Sequence, residues 1–469
     1  MLDIDYFLQN VVRGYTKLTS YLHCHNASST TRWQPGQPLK LFLLGYNGSR
    51  NTGADVRVAE IIRQIQHILG EEQIEISLLT FNKHLTQGMG QNFRQLTLPK
   101  ASFPHFLFQE NRSHHGVIAC EGSMFTSKFT DFLSIVMGGA LGMAAVAEKL
   151  SIGYGAEVGA MNDRLRHFCQ RQCQESLIIC RNEPSRLQLQ DMGIRQAKGT
   201  DTAWTFTPAP SSRAQKLLCQ AGWDGQQKIL TICPVNPFWW PVKPDLKRTF
   251  CYYFLKRHQE SHSGLTHFHR DTAGSRQQFH TYIQELAKAT GVFVREQNLF
   301  PVIIGMEQLD RRACVALADS LYPRPPCFVS DEYNMYEIVA LLRQARYMVT
   351  SRYHAMVCSM PAKVLSVGLS IDERIPNLLN EQGCGELCLD VDEPFLGEKL
   401  LSLLRALPQE RERKGVKIGH SVQQHLRRMG EMGMTFANEV RRVYPNFPLP
   451  DLGTDWRAYL PVTAEKIWS

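Results

Sequence analysis

What most constrains the fold of this chain is an alternation: short apolar runs, each ended by glycine or a polar residue, separated by stretches of helical periodicity. LKLFLLG (39–45) is such a run and reads as a strand buried in a parallel sheet. The loop YNGSRNTGAD follows it. In VRVAEIIRQIQHIL, Val58, Ile61, Ile62, Ile65, Ile68 and Leu69 fall on one helical face, with Arg57, Glu60 and Arg63 opposite. IEISLLT (74–80) then completes a strand–helix–strand unit.

The alternation continues through GVIAC (116–120), an apolar helix rich in Gly and Ala (132–147), SIGYGAEVG (151–159) and SLIIC (176–180). The last of these leads into a helix opened by Asn182 and Glu183. The pattern pauses after Asp201 and resumes at KILTICPV (228–235), LFPVIIG (299–305), ARYMVTS (345–351) and KVLSVGL (363–369). A chain of 469 residues exceeds one ordinary core, so two α/β domains are expected. The boundaries read as an N-terminal extension over 1–37, a Rossmann-like domain over 38–205, a second over 206–395, and a helical tail over 396–469. Two such halves face each other, with the ligand between the carboxyl ends of their strands.

Composition narrows the function. With 43% hydrophobic and 20% charged residues the chain is globular rather than disordered. The net charge of +8 is scattered, which suits phosphates and carboxylates better than a nucleic acid, and no nucleic-acid partner is expected. Thirteen cysteines, odd in number and without a CxxC pair, read as reduced, mostly buried thiols in a reducing compartment. The N-terminus lacks the apolar core of a signal peptide, and the most apolar window, 132–147, is shorter than the ~20 residues a membrane span needs. The expectation is a cytoplasmic protein without a transmembrane segment, free or peripheral at the inner membrane face.

In such a fold, functional residues sit just after strands, and four segments meet that condition. Gly45 to Gly53 joins the first strand to the first helix; its glycines admit a ligand to the backbone, and the helix start offers free N–H groups to an anion. It matches neither a dinucleotide fingerprint nor a P-loop, and a tight strand-to-helix turn is the plainer reading. Cys120-Glu121-Gly122-Ser123 places a carboxylate where it can bind a hydroxyl, act as a base or cap a helix. Arg181 follows SLIIC at the presumed cleft mouth. Ser351-Arg352-Tyr353-His354 brings together a rigid guanidinium fork for an anion and an imidazole able to move a proton near neutrality.

These segments, in this order, resemble the polysaccharide pyruvyl transferase family. The matching stretches are GYNGSRNTGAD, VIACEGSMF, YGAEVGAM, IICRNEPSRLQLQDMGI followed by Asp201, and SRYHAMVCSM leading to SVGLSIDERIPNLL, together spanning roughly 39–390. The resemblance implies a GT-B-like fold and transfer of a pyruvyl group from phosphoenolpyruvate to a sugar of a cell-surface polysaccharide or its precursor, free or lipid-linked. By position, Arg181, Arg352 and His354 take the donor-binding and catalytic places. Asn47, Asn51, Gly53, Glu121, Ser123, Ser351 and Tyr353 are expected to line the substrate site. Two arginines suit the phosphate and carboxylate of such a donor, and His354 is the expected general acid for its methylene carbon. No cofactor and no metal are expected.

The sequence departs from the family in two loops: Cys120-Glu121-Gly122 stands where glycines are usual, and Ala54 separates Gly53 from Asp55. Residues 241–280, rich in Arg, His and aromatics, interrupt the second series. The pair His267 and His269 invites a metal reading, but without an accompanying acid or thiolate set an acceptor-binding or lid segment is the better expectation. The alternative functions are a nucleotide-sugar-dependent GT-B glycosyltransferase and a non-catalytic saccharide-binding relative.

Overall fold

The computed structural model describes residues 3–25, 32–86, 93–99, 102–264 and 266–461. Helix α1 (Ile4–His25) precedes a sheet of seven parallel strands. These are β1 (Leu39–Leu44), β2 (Ile74–Thr80), β3 (Arg94–Thr97), β4 (Gly116–Ala119), β5 (Leu150–Ala156), β6 (Leu177–Cys180) and β7 (Gln196–Lys198). Their spatial order is β3-β2-β1-β4-β5-β6-β7. Helices α2 (Thr52–Leu69), α3 (Phe103–Ser113), α4 (Asp131–Val146), α5 (Asp163–Cys173) and α6 (Glu183–Asp191) provide the crossovers.

After α7 (Ser211–Gln220) the chain enters β8 (Ile229–Cys233), the first strand of a second parallel sheet. An insertion follows: β9 (Lys243–Pro244), α8 (Leu246–Leu255), β10 (His262–Gly264) and β11 (His267–Phe268). Its strands make a small antiparallel sheet. Then come α9 (Ala273–Gln297), β12 (Phe300–Gly305), α10 (Arg311–Asp319), β13 (Cys327–Val329), α11 (Met335–Leu342) and β14 (Tyr347–Thr350). The domain closes with α12 (Tyr353–Ser359), β15 (Leu365–Ser370), α13 (Arg374–Glu381) and β16 (Cys388–Asp390). The sheet order is β13-β12-β8-β14-β15-β16, so both halves are doubly wound and the molecule consists of two facing Rossmann-like domains.

In each sheet the winding reverses between the first and fourth strands, which lie side by side. Leu44 of β1 pairs with Ala119 of β4, and Cys233 of β8 pairs with Thr350 of β14. The loops leaving these strands at 45–51, 120–123 and 351–352 therefore open at the topological switch points, where such folds bind their ligands.

One reading of the sequence is corrected. Arg57 and Glu60, assigned to an outer face of α2, are buried. That helix is enclosed on a second side by Ala203–Thr205 and by the last helix, α14 (Leu396–Val443). Glu60 accepts hydrogen bonds from Thr205 and Arg63, and the Arg57 guanidinium donates to the Tyr154 and Gly155 carbonyls. The N-terminal extension is a helix packed on the first domain: a Cβ at Gly139 of α4 would overlap Val12 of α1, so the small-residue pattern of α4 permits that approach. The tail opens with one helix of 48 residues, which returns from the second domain to the first, where Gln64 donates to the Met429 carbonyl.

Candidate functional site

A cleft of about 330 Å³ lies between the two domains. The first domain contributes Tyr46, Ser49, Asn51, Phe81, Glu121, Ser123 and Phe129; the second contributes Glu307, Arg352 and Arg374; the insertion contributes Trp240, Val242, His267 and His269. The 241–280 segment is thus one wall of the cleft. Its histidines make no metal cluster, and none occurs among the described residues. The walls alternate aromatic rings with carboxylates and guanidinia, a lining that can stack on a ring and hold hydroxyls at its edge.

Asn51 caps α2 by accepting from the Ala54 N–H, and its Nδ2 donates across the cleft to Glu307 Oε2 at 3.1 Å. Tyr46 donates to the other oxygen of Glu307 at 3.0 Å, and Arg352 bonds the same carboxylate at 2.9 Å. Glu307 is therefore a hub joining both domains. Arg352 is also gripped by Asp310, whose second role is to accept from the Met306 and Glu307 N–H groups. Arg374 pairs with Asp372 at 2.8 Å, reaches Ser123 Oγ at 3.3 Å and stacks on Phe129.

Beside this wall lies a second, more buried cluster. Asp201, directly after β7, is fully buried and faces Arg57 at 3.2 Å, Arg181 at 3.0 Å and His354 Nε2 at 3.3 Å. Arg181 bonds Glu157 as well and lies over the Tyr353 ring, 4.3 Å from its centroid. Glu157 in turn accepts from Asn182 and, across the domain boundary, from Asn377 at 3.1 Å. A Cβ at Gly53 would overlap the His354 ring, and one at Gly122 would crowd Arg181 and Arg57, so both loops need glycine for close approach rather than for turn geometry.

The charges in this cluster fix the state of His354. Burial alone would raise the Asp201 carboxyl, but Arg57, His354 and Arg181 outweigh it and hold it well below the usual range. Burial pushes the His354 imidazole below its ordinary 6.5, and Asp201, already shared with two guanidinia, only partly offsets that. His354 is then neutral at pH 7. Because an ionised Asp201 can only accept, Nε2 carries the proton and Nδ1, packed over Gly53, is the nitrogen without one. A neutral imidazole oriented by a carboxylate is equipped as a base.

Of the residues named from sequence, Asn51, Glu121, Ser123 and Arg352 line the cleft. Gly53 and His354 meet beside it. Arg181 and Tyr353 are buried against each other. Asn47 and Ser351, expected to bind substrate, are committed elsewhere: Asn47 donates to the Leu79 carbonyl from a buried position, and Ser351 shares a hydrogen bond of 2.7 Å with Tyr282. Sequence reasoning passed over Glu157, Glu307 and Arg374, although all three follow strands and the strand-end rule would have found them. Asp201 was seen only as a residue of the resemblance, and nothing local to it signals that it is buried between two guanidinia and an imidazole.

No family model and no curated protein matches the chain by sequence. Solved structures do match in shape. HepE of Anabaena, solved in complex with UDP-glucose, has a TM-score of 0.55 at 10% identity, covering 85% of this chain and 100% of that one. UDP-GlcNAc 2-epimerase of Neisseria meningitidis, bound to UDP-GlcNAc, has 0.51 at 10% identity, over 86% and 100%. MnaA of S. aureus, solved with UDP, has 0.51 at 8% identity, over 85% and 97%. At such identities the likeness is one of fold, and the fold is GT-B-like: two facing Rossmann-like domains with a helical C-terminal tail.

Proposed function

We propose that the chain is a GT-B glycosyltransferase that takes a sugar from a nucleotide-sugar donor in the cleft between its domains. The observation that carries this reading is the hydrogen bond from the buried His354 Nε2 to Asp201: burial keeps the imidazole neutral, and the bond fixes its proton on Nε2, leaving Nδ1 as the basic nitrogen. Glycosyl transfer needs such a base. An acceptor hydroxyl attacks the anomeric carbon, its proton passes to Nδ1, and the nucleoside diphosphate leaves with the electrons of the broken C–O bond. Asp201 then stabilises the imidazolium. The proteins of similar fold that were solved with UDP or UDP-sugars support the donor class. Arg352 and Arg374 are the cations that face the cleft, and Trp240 and Phe129 supply aromatic surface for the sugar.

A second reading is pyruvyl transfer from phosphoenolpyruvate. What favours it is that His354 packs on Gly53 and Arg352 shares Glu307 with Asn51, so two of the three residues of the resemblance meet the 45–53 loop, while Arg181 lies at Gly122. Against it, protonating a methylene carbon calls for an acid, whereas His354 is neutral.

The deciding assay runs a panel of UDP-sugars and, separately, phosphoenolpyruvate with saccharide acceptors, reading nucleotide and phosphate release. Nucleotide release that needs acceptor, falls about 10²-fold or more in His354→Ala, and declines in acid with an inflection below the ordinary imidazole value is expected. Phosphate release from phosphoenolpyruvate without nucleotide release would replace this reading with the second.

A further inference from the structure

The insertion that walls the cleft carries a helix turned the wrong way round. In α8, Leu246, Phe250, Tyr253 and Phe254 fall at i, i+4, i+7 and i+8 and so share one helical stripe. A surface helix buries such a stripe. Here the four side chains are 56%, 58%, 57% and 74% exposed, and no residue of α8 is buried. The helix is attached by its other side: Tyr252 stacks on His262 at 3.8 Å, Arg248 donates to the His269 carbonyl at 3.2 Å, and Asp245 caps the first turn. The Phe250 and Phe254 rings lie 4.8 Å apart on the solvent side, and Lys243, Lys247, Lys256 and Arg257 are exposed around them.

We propose that α8 docks this protein on an anionic lipid bilayer, with Phe250 and Phe254 entering the interface and the flanking Lys and Arg side chains reaching the headgroups. Aromatic and leucine side chains on one face with a basic surround are what an interfacial helix requires. The charge of the surround selects the occupant. In a symmetric pair of chains the lysines would face lysines. The stripe of a ten-residue helix also falls short of the roughly 800 Å² per partner that stable dimers bury. The location has a consequence for the site: Val242, just before β9, and Ser263, Gly264 and His267, on the strands that follow α8, line the cleft, so docking sets the cleft beside the bilayer, where a lipid-linked acceptor would be met.

The test is vesicle co-sedimentation of the full chain. Phosphatidylcholine vesicles are compared with phosphatidylcholine containing phosphatidylglycerol, at low and high salt, and oligomeric state is followed by light scattering. Binding is expected only to the anionic vesicles, weakened by salt, reduced at least about tenfold in F250S/F254S and several-fold in K247E/K256E. Both double variants change exposed side chains, so their melting temperatures should match the parent's. No binding to anionic vesicles, or binding that survives F250S/F254S, overturns the proposal. So does a dimer that the same phenylalanine variant dissociates, which would make this face a contact between copies.

Discussion

Arg57, Arg181 and Arg352 are each paired before any ligand arrives. Arg181 holds Glu157 and Asp201, Arg352 holds Glu307 and Asp310, and Arg57 holds Asp201 with Glu121 at 3.7 Å. Truncating one partner of such a pair strands a buried charge, at a cost of about 3–5 kcal/mol. Loss of activity in these positions therefore has to be read beside loss of fold. Asp55 is the opposite case, a carboxyl with a buried oxygen that finds no hydrogen-bond donor. Burial pushes it up to about 7, with Arg50 opposing and Glu307 adding to the rise. Its folded pKa lies above the unfolded ~3.9, so the folded state binds more protons over that interval and stability falls as pH rises from about 4 to about 7. Asp55→Asn is expected to flatten that decline and to raise stability above about pH 7 by on the order of 2 kcal/mol in urea titrations. The polar pairings behind these effects were not legible in the sequence. Arg57 reads as a solvent-facing residue by helical periodicity, and only the enclosure of α2 by distant segments turns it inward.

Among the elements, those with long apolar runs were legible almost to the residue: β1, β2, β12 and β14 follow directly from LKLFLLG, IEISLLT, LFPVIIG and ARYMVTS. The edge strands were not. β3 (RQLT), β7 (QAK), β13 (CFV) and β16 (CLD) have three or four residues each, too few to show a period, because an edge strand takes its order from the neighbour it pairs with. The last helix was legible only in fragments, since its inward residues meet two different domains and keep no single period. Its contact with the first domain centres on His425, whose ring stacks on Trp204 at 4.2 Å and 6° and whose Nδ1 is 2.8 Å from the Thr200 hydroxyl. Burial pushes this histidine down to about 4, so it packs as a neutral ring. His425→Ala should lower stability by about 2–4 kcal/mol in urea titrations. Arg427→Ala, which removes only the exposed pair with Glu431, should change it by less than about 0.5 kcal/mol.

On the scale of the whole molecule, the two domains are tied by a short seam of polar bonds around the cleft. Thr52 N–H donates to the Met306 carbonyl at 2.7 Å, and Arg50 donates to the carbonyls of Ser330 and Tyr333. Asn51 and Tyr46 meet Glu307, and His354 meets Asp201. Every one of these joins a strand-end loop of one sheet to the other half. A ligand bridging the walls adds to the same seam, so it stabilises both domains together rather than the one it contacts more. Binding to the folded state alone contributes RT ln(1 + [L]/Kd), about 2.7 kcal/mol at a hundredfold excess over Kd. A UDP-sugar bound as proposed should therefore raise the melting temperature and slow amide exchange at 46–53 and at 306–310 and 351–354 in parallel. Protection confined to one domain would mean that the donor does not bridge the cleft. The same response to phosphoenolpyruvate, with none to the UDP-sugar, would assign the seam to the smaller dianionic-headed donor and make Arg352 release Asp310 to hold it.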